Sequence, residues 1–137
     1  MDTQKLITDK IATVLAATSK DHAVNLKQLI EESGRIFVGG AGRSLLVARF
    51  FAMRLVHCGY QVNMPGEIVT PAIVPGDLLI VISGSGGTKT LLPMLETAKA
   101  KGAKIIVISM KASSAMSDLA DYTVQVGNDN SFPLTKG

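Results

Sequence analysis

The 137-residue chain has one cysteine, Cys58, no tryptophan, and only 4% aromatic residues. A single thiol excludes an internal disulfide and suits a reducing cytoplasm. So few aromatics leave little from which to build base-stacking platforms. The net charge is only +3 and the basic residues are spread along the chain, so no basic stripe points to nucleic acid. Apolar runs stay far short of the ~18 residues a membrane span needs. The N-terminus is polar and carries Asp2 and Asp9, unlike a signal peptide. No His, Cys, Asp or Glu set has metal-ligand spacing, and no Gly-x-Ser-x-Gly elbow comes with triad partners. What the chain does have is apolar content, 47% against 18% charged, enough for one globular domain with a core.

Leu6, Ile7, Ile11, Val14 and Leu15 recur at helical spacing, as do Ala23, Leu26, Leu29 and Ile30, and Ser33-Gly34 stops the second helix. From Arg35 the pattern changes. Short apolar strands are expected at 36–38, 60–64, 77–82, 104–109 and 122–126. Helices are expected at about 44–58, 90–101 and 113–120, with a short turn or helix near 67–72. Strands alternating with helices predict an α/β fold, a parallel, doubly wound sheet of five strands with helices on both faces. The chain then reads as N-terminal helices (1–33), an α/β core (35–126) and a closing loop (127–137), which would stop before a covering C-terminal helix.

The third helix is apolar on nearly every face, through Leu45, Leu46, Val47, Ala48, Phe50, Phe51, Ala52, Met53, Leu55 and Val56. Such a helix is expected to be covered all round. Its second face meets either another subunit or the N-terminal helical pair. Cys58, at its end, reads as a small buried residue.

Two glycine-and-hydroxyl loops follow strands: Gly39-Gly40-Ala41-Gly42-Arg43-Ser44 and Ser83-Gly84-Ser85-Gly86-Gly87-Thr88. Ligands of open parallel sheets bind beyond the carboxyl ends of strands, where the strand order switches. Glycines let an anion approach the backbone, hydroxyls add donors, and a helix N-terminus adds partial positive charge. A phosphorylated small molecule is therefore the expected ligand. Gly40-Ala41-Gly42 is not a dinucleotide fingerprint, because Leu45 stands where the third glycine belongs and no acid closes the second strand. Plainer roles stand beside these. The second loop could be a helix N-cap with a flexible turn, Arg43 a surface charge, and Ser44 an N-cap. His57 could be a helix C-terminal cap, and Glu67 a solvated carboxylate rather than a general base.

The two loops resemble those of the sugar isomerase (SIS) domain family, with its Gly-x-Gly-x-Ser turn and Ser-x-Ser-Gly-x-Thr loop. Within that family, Phe51 to Gly59, Gly66 to Ile73, Pro75 to Ile80 and Leu119-Ala120-Asp121 are similar to 6-phospho-3-hexuloisomerases. The resemblance implies a flavodoxin-like sheet. It also implies an isomerase that interconverts 3-hexulose 6-phosphate and fructose 6-phosphate through an enediolate, in the ribulose monophosphate route of formaldehyde fixation. No metal or redox cofactor is implied. Ser44, Ser83, Gly84, Ser85, Gly86 and Thr88 would hold the phosphate, Gly42 and Gly87 would lie beside the substrate, and Arg43 near the sugar. Glu67 and His57 would do acid–base work. A cytoplasmic homo-oligomer, dimer or tetramer, is implied, with its sites near subunit contacts. Where the family usually has Glu, this chain has Gly87. That departure favours a second expectation, a non-catalytic phosphosugar-binding module. An isomerase of another phosphosugar is a third.

Overall fold

A computed structural model describes residues 2–66 and 70–127. Two helices, α1 (Thr3–Ala16) and α2 (Asp21–Glu32), precede an alternating series. The series runs β1 (Ile36–Gly40), α3 (Arg43–His57), β2 (Val62–Asn63), β3 (Leu78–Ile82), α4 (Leu92–Ala100), β4 (Lys104–Ser109), a 3-10 turn (Ser117–Leu119) and β5 (Tyr122–Gln125). The five strands form one parallel sheet in the order β2-β1-β3-β4-β5. The order reverses between β1 and β3, which opens a crevice above their carboxyl ends.

The unbroken apolar strands are explained by burial on both faces. Ile36, Val38, Leu78, Ile80, Ile106 and Val124 pack toward α2 and α3 with Ala48, Ala52 and Leu55. Their alternates Phe37, Leu79, Val81, Ile105 and Val107 pack toward α4 with Leu91, Leu95 and Ala98. In register, Gly40 lies beside Ile82, so the two glycine-rich loops leave the sheet side by side.

Several elements are shorter than the periodicity predicts. α4 starts at Leu92 because Pro93 has no N–H to bond a carbonyl four residues back; residues Thr88 to Leu91 form a turn instead, with Leu91 N–H on Thr88 O at 3.1 Å. The expected helix over 113–120 shrinks to Ser117–Leu119. Ser114 and Ser117 bond each other's backbone N–H groups at 2.7 and 3.1 Å, offering the chain an alternative to a helix. The edge strand β2 keeps two residues and ends before Pro65. Of the turn or helix expected near 67–72, residues 67–69 lie outside the described residues, and Thr70, Pro71 and Ala72 form no helix.

Two burial expectations are corrected. Cys58 is exposed, because it caps α3 at the rim of the sheet. The N-terminal pair does not cover α3: Leu46, Val47, Phe50, Met53 and Val56 are 51–70% exposed. α2 lies instead on the sheet face near β5, with Ile30 buried and Asn25 Nδ2 donating to Tyr122 Oη at 3.0 Å. α1 buries no residue; the chain just after it is tied down by Thr18 Oγ1, which accepts from Gly127 N–H at 2.8 Å.

At the opposite end of the sheet Arg35 and Asp77 clamp the starts of β1 and β3. Arg35 Nε and Nη2 donate to the two Asp77 oxygens at 3.1 and 2.8 Å, and Nη2 also reaches Ala72 O at 3.0 Å. Val74 N–H donates to the same carboxylate at 2.8 Å. Burial opposes the Asp77 charge, yet the hydrogen bonds from Arg35 and Val74 win and hold its carboxyl below the ordinary carboxylate range.

Candidate active site

Ser83 follows β3 directly and is buried, 3% exposed. Its N–H donates to Ile108 O at 2.9 Å. Its Oγ accepts from Gly86 N–H at 3.2 Å and lies 3.1 Å from Thr88 Oγ1. Ser83 is therefore a clasp that curls the loop over itself. Ser85 sits on the outside with exposed Gly84 and Gly87, its Oγ accepting from Gly87 N–H at 3.2 Å. The loop rests on β4 and the segment after that strand. Gly84 O accepts from Met110 N–H at 3.1 Å and Ser109 Oγ at 3.3 Å, and Gly86 O accepts from Met116 N–H at 3.3 Å. Gly86 has φ +68°, and an added Cβ would stand 2.5 Å from Ser114 Oγ, so only glycine fits.

The first loop is as tightly built. A Cβ on Gly40 would lie 3.0 Å from the backbone of Ser44, which is how β1 brings the start of α3 close. Gly42 caps α3 with φ +58° and ψ −133°, a conformation reserved for glycine. Ser44 is thus inside the first turn and is not the N-cap. Its side chain lines a cavity of about 390 Å³ together with Gly84, Val47, Phe51 and Ser109. Arg43, exposed at the same helix end, has its guanidinium available to solvent. Nor does the second loop cap α4, whose N-cap is Leu91 with no side-chain cap bond. Among its hydroxyls, those of Ser83 and Thr88 stabilise the loop itself, and Ser85 stays on the surface.

The structure thus gathers Gly42, Arg43, Ser44, Ser83, Gly84, Ser85, Gly86, Gly87 and Thr88 at one edge of the sheet. Exposed Ser85, the N-terminus of α3 and the exposed Arg43 lie in these neighbouring loops, a composition suited to a phosphate. Glu67 lies outside the described residues; Gly66 before it lines a second cavity of about 260 Å³ with Gly40, Leu45, Arg49 and Met94. His57 is not brought to this edge. It is exposed in the last turn of α3, about 21 Å along the helix from Arg43 at 1.5 Å per residue. The cap there is Cys58, whose N–H bonds Arg54 O at 3.1 Å. Another cavity, of about 430 Å³, is lined by Pro65, Gly66, Thr70, Pro71 and Ile73 together with Pro93, Met94 and Thr97 of α4, and by no residue of the two loops.

Sequence reasoning missed Ser109 and Ser114. Ser109 is buried at the carboxyl end of β4, supports Gly84, and accepts from Lys111 N–H at 3.1 Å. A serine closing an apolar strand was its available signal, the same one that marks Ser83.

Ser83→Ala removes two buried partners at once. It is expected to lower stability by about 1–2 kcal/mol and weaken phosphosugar binding roughly tenfold. Ser85→Ala should weaken binding comparably and leave stability within ~0.5 kcal/mol. Urea unfolding and calorimetry on both variants separate clasp from contact. Equal stability of the two variants would refute the division.

An open parallel sheet with two glycine-hydroxyl loops at its switch point defines an α/β class that takes small anionic ligands beyond the carboxyl ends of its strands. Residues 29–136 match the SIS domain family, and the chain belongs to it. It is 58% identical to a 3-hexulose-6-phosphate isomerase of Methylomonas aminofaciens over 136 residues, covering 98% of this chain and 75% of that protein. A 3-hexulose-6-phosphate isomerase of Mycobacterium gastri is 44% identical over 87% of this chain and 60% of its own length. A solved Methanococcus jannaschii structure, described as inferring a 3-hexulose-6-phosphate isomerase function, superposes with a TM-score of 0.80 at 32% identity. That match covers 92% of this chain and 73% of the other. The chain thus spans between 60% and 75% of these relatives' lengths.

Proposed function

We propose that this chain is an isomerase that interconverts 3-hexulose 6-phosphate and fructose 6-phosphate. The single observation that carries the reading is the pair of adjacent loops at the β1/β3 crevice, in a chain 58% identical to a 3-hexulose-6-phosphate isomerase. The phosphate sits on the Ser83–Thr88 loop and at the α3 N-terminus beside Ser44. That anchors the C6 end and leaves the carbonyl end free to reach the acid–base groups. The reaction removes the proton on C2, forms an enediolate across C2 and C3, and returns a proton to C3. The carbonyl moves from C3 to C2 with no net gain or loss of atoms. Arg43 steadies the negative oxygen of the enediolate. Glu67 is the candidate base; within one chain His57, at the far end of α3, stands too far from the loops to donate the proton. A cytoplasmic setting accords with the lone cysteine, and the uncovered face of α3 accords with self-association.

The test mixes the protein with 3-hexulose 6-phosphate and follows fructose 6-phosphate through a coupled dehydrogenase. Turnover is expected. Binding of fructose 6-phosphate without turnover would replace the enzyme with a phosphosugar-binding module.

One observation favours that second reading, namely Gly87 where the resemblance places a carboxylate. Gly87 has open space around its would-be Cβ and no positive φ, so a side chain fits there without strain. Gly87→Glu should therefore keep stability within ~0.5 kcal/mol of the parent. If the parent binds sugar without turning it over, the variant is the one expected to show turnover. A loss of stability beyond ~1.5 kcal/mol would mean the loop does not admit the side chain.

A further inference from the structure

The Ser83–Thr88 loop, the anion cradle of the proposed function, is held in place by its carbonyls. Ser83 O accepts from Gly86 N–H at 3.2 Å, and Gly86 O from Met116 N–H at 3.3 Å. Gly84 O is held twice, by Met110 N–H at 3.1 Å and by Ser109 Oγ at 3.3 Å. Both of those donors stand at the carboxyl end of β4 or one residue past it. The Gly84–Ser85 peptide is trans, so its carbonyl and the N–H of Ser85 point in opposite directions. Holding Gly84 O against β4 therefore aims Ser85 N–H away from β4. The N–H groups of Ser83, Gly86 and Gly87 have acceptors within the protein, namely Ile108 O, Ser83 and Ser85 Oγ. Ser85 N–H has none among the described residues, and Ser85 is exposed.

We propose that Ser109 is a positioning residue for the anion: its hydroxyl fixes the Gly84–Ser85 peptide so that an N–H, and not a carbonyl, faces a bound phosphate. This role rests on the phosphate reading of the loop and needs no turnover. Three observations single out Ser109. The first is where its bonds go. A hydroxyl buried to 3% exposure at the end of the apolar run Ile105 to Ile108 is unfavourable unless it is satisfied. Its one hydrogen goes to Gly84 O, and its oxygen accepts from Lys111 N–H at 3.1 Å. It has no second hydrogen for a ligand and so acts through the peptide it holds. The second is rigidity. Ser109 pairs with Gln125 in the sheet, and its own carbonyl accepts from Val126 N–H at 2.8 Å, so the hydroxyl is presented from a fixed strand end. The third is place. Ser109, Gly84 and Ser44 line the same cavity of about 390 Å³, so the peptide forms part of the wall against which the ligand rests. Turned over, that peptide would set a partially negative oxygen against the phosphate. Held as it is, it offers a donor that needs no reorientation on binding. Met110 N–H is a backbone donor and stays when the serine is replaced, so loss of the hydroxyl weakens the arrangement and does not abolish it.

Amide NMR tests the assignment, with fructose 6-phosphate and inorganic phosphate titrated separately into the parent, Ser109→Ala and Ser109→Thr. In the parent the Ser85 amide proton is expected to move downfield as a charge-assisted bond forms. Ser109→Ala should bind each probe about fivefold more weakly. At saturation its Ser85 proton should move less than in the parent, because the peptide is no longer held to one orientation. Ser109→Thr keeps the hydroxyl, and the cavity beside it has room for the methyl group, so it should restore both the affinity and the shift. A hydroxyl that merely stiffened the loop would change the affinity and leave the Ser85 shift at saturation as in the parent. That result overturns the proposal. So does Ser109→Ala with parent affinity, or a parent that binds phosphate while its Ser85 amide stays where it was; in each case the phosphate reading stands. A parent that binds neither probe defeats the phosphate reading and the role of Ser109 together.

Discussion

Gly86→Ala is expected to destabilise the protein by about 2–4 kcal/mol and to lower its melting temperature by roughly 10 °C. Two effects add. At φ +68° an L-residue meets a backbone conformation that costs ~1 kcal/mol or more. The added Cβ would also stand 2.7 Å from Ser114 Cβ and 3.2 Å from Ser109 Oγ, so backbone must move rather than a side-chain tip. That movement breaks the bond from Met116 N–H to Gly86 O and pulls the loop off β4. Gly42→Ala is the control. It shares the positive φ but meets nothing within 4 Å, so it should lose only about 1–2 kcal/mol. Urea melts of both variants measure the difference. Equal losses would show that conformation alone, without the Ser114 contact, requires glycine at position 86.

Asp77→Ala is expected to cost about 2–3 kcal/mol. Breaking a fully buried pair costs 3–5 kcal/mol, but the Arg35 side chain keeps 23% of its exposure and can recover water. The loss reaches further than the pair, since Val74 N–H and the Arg35 contact with Ala72 also depend on the carboxylate. The pH dependence comes from the depressed carboxyl. Because Asp77 binds its proton less readily folded than unfolded, its contribution is fully present above the unfolded value of ~3.9. It is lost as pH falls through the lower folded value. The stability gap between parent and Asp77→Ala should therefore be widest near pH 7 and narrow below about pH 4. A gap unchanged between pH 7 and pH 3 in urea melts would show that the carboxylate is not the source of the clamp.

Both variants act on features of different legibility. The glycine-rich loop was legible because its chemistry is local: an apolar run must end, glycines must turn, and hydroxyls collect where a strand stops. For the same reason β1, β3 and β4 lie within two residues of their expected bounds, and the doubly wound parallel sheet agrees with the alternation of elements. Asp77 was read only as the first residue of a strand. Nothing near it in sequence announces Arg35, forty-two positions away, because β1 and β3 are neighbours only in the folded sheet. Helix lengths were over-read where Pro93 removed a donor and where Ser114 and Ser117 competed for the backbone.

What the sequence determined by itself is what rests on short-range physics: the strand and helix types, the two glycine loops, and the anion chemistry of their hydroxyls. Only the tertiary structure decided the division of labour among those hydroxyls, with Ser83 turned inward and Ser85 outward. Only it showed that α3 is bare along Leu46, Phe50 and Met53, and that His57 stands a helix length from the cradle. The reason is that periodicity tells which residues are apolar but not what covers them. Cover is a matter of how far apart in the chain the packed surfaces lie.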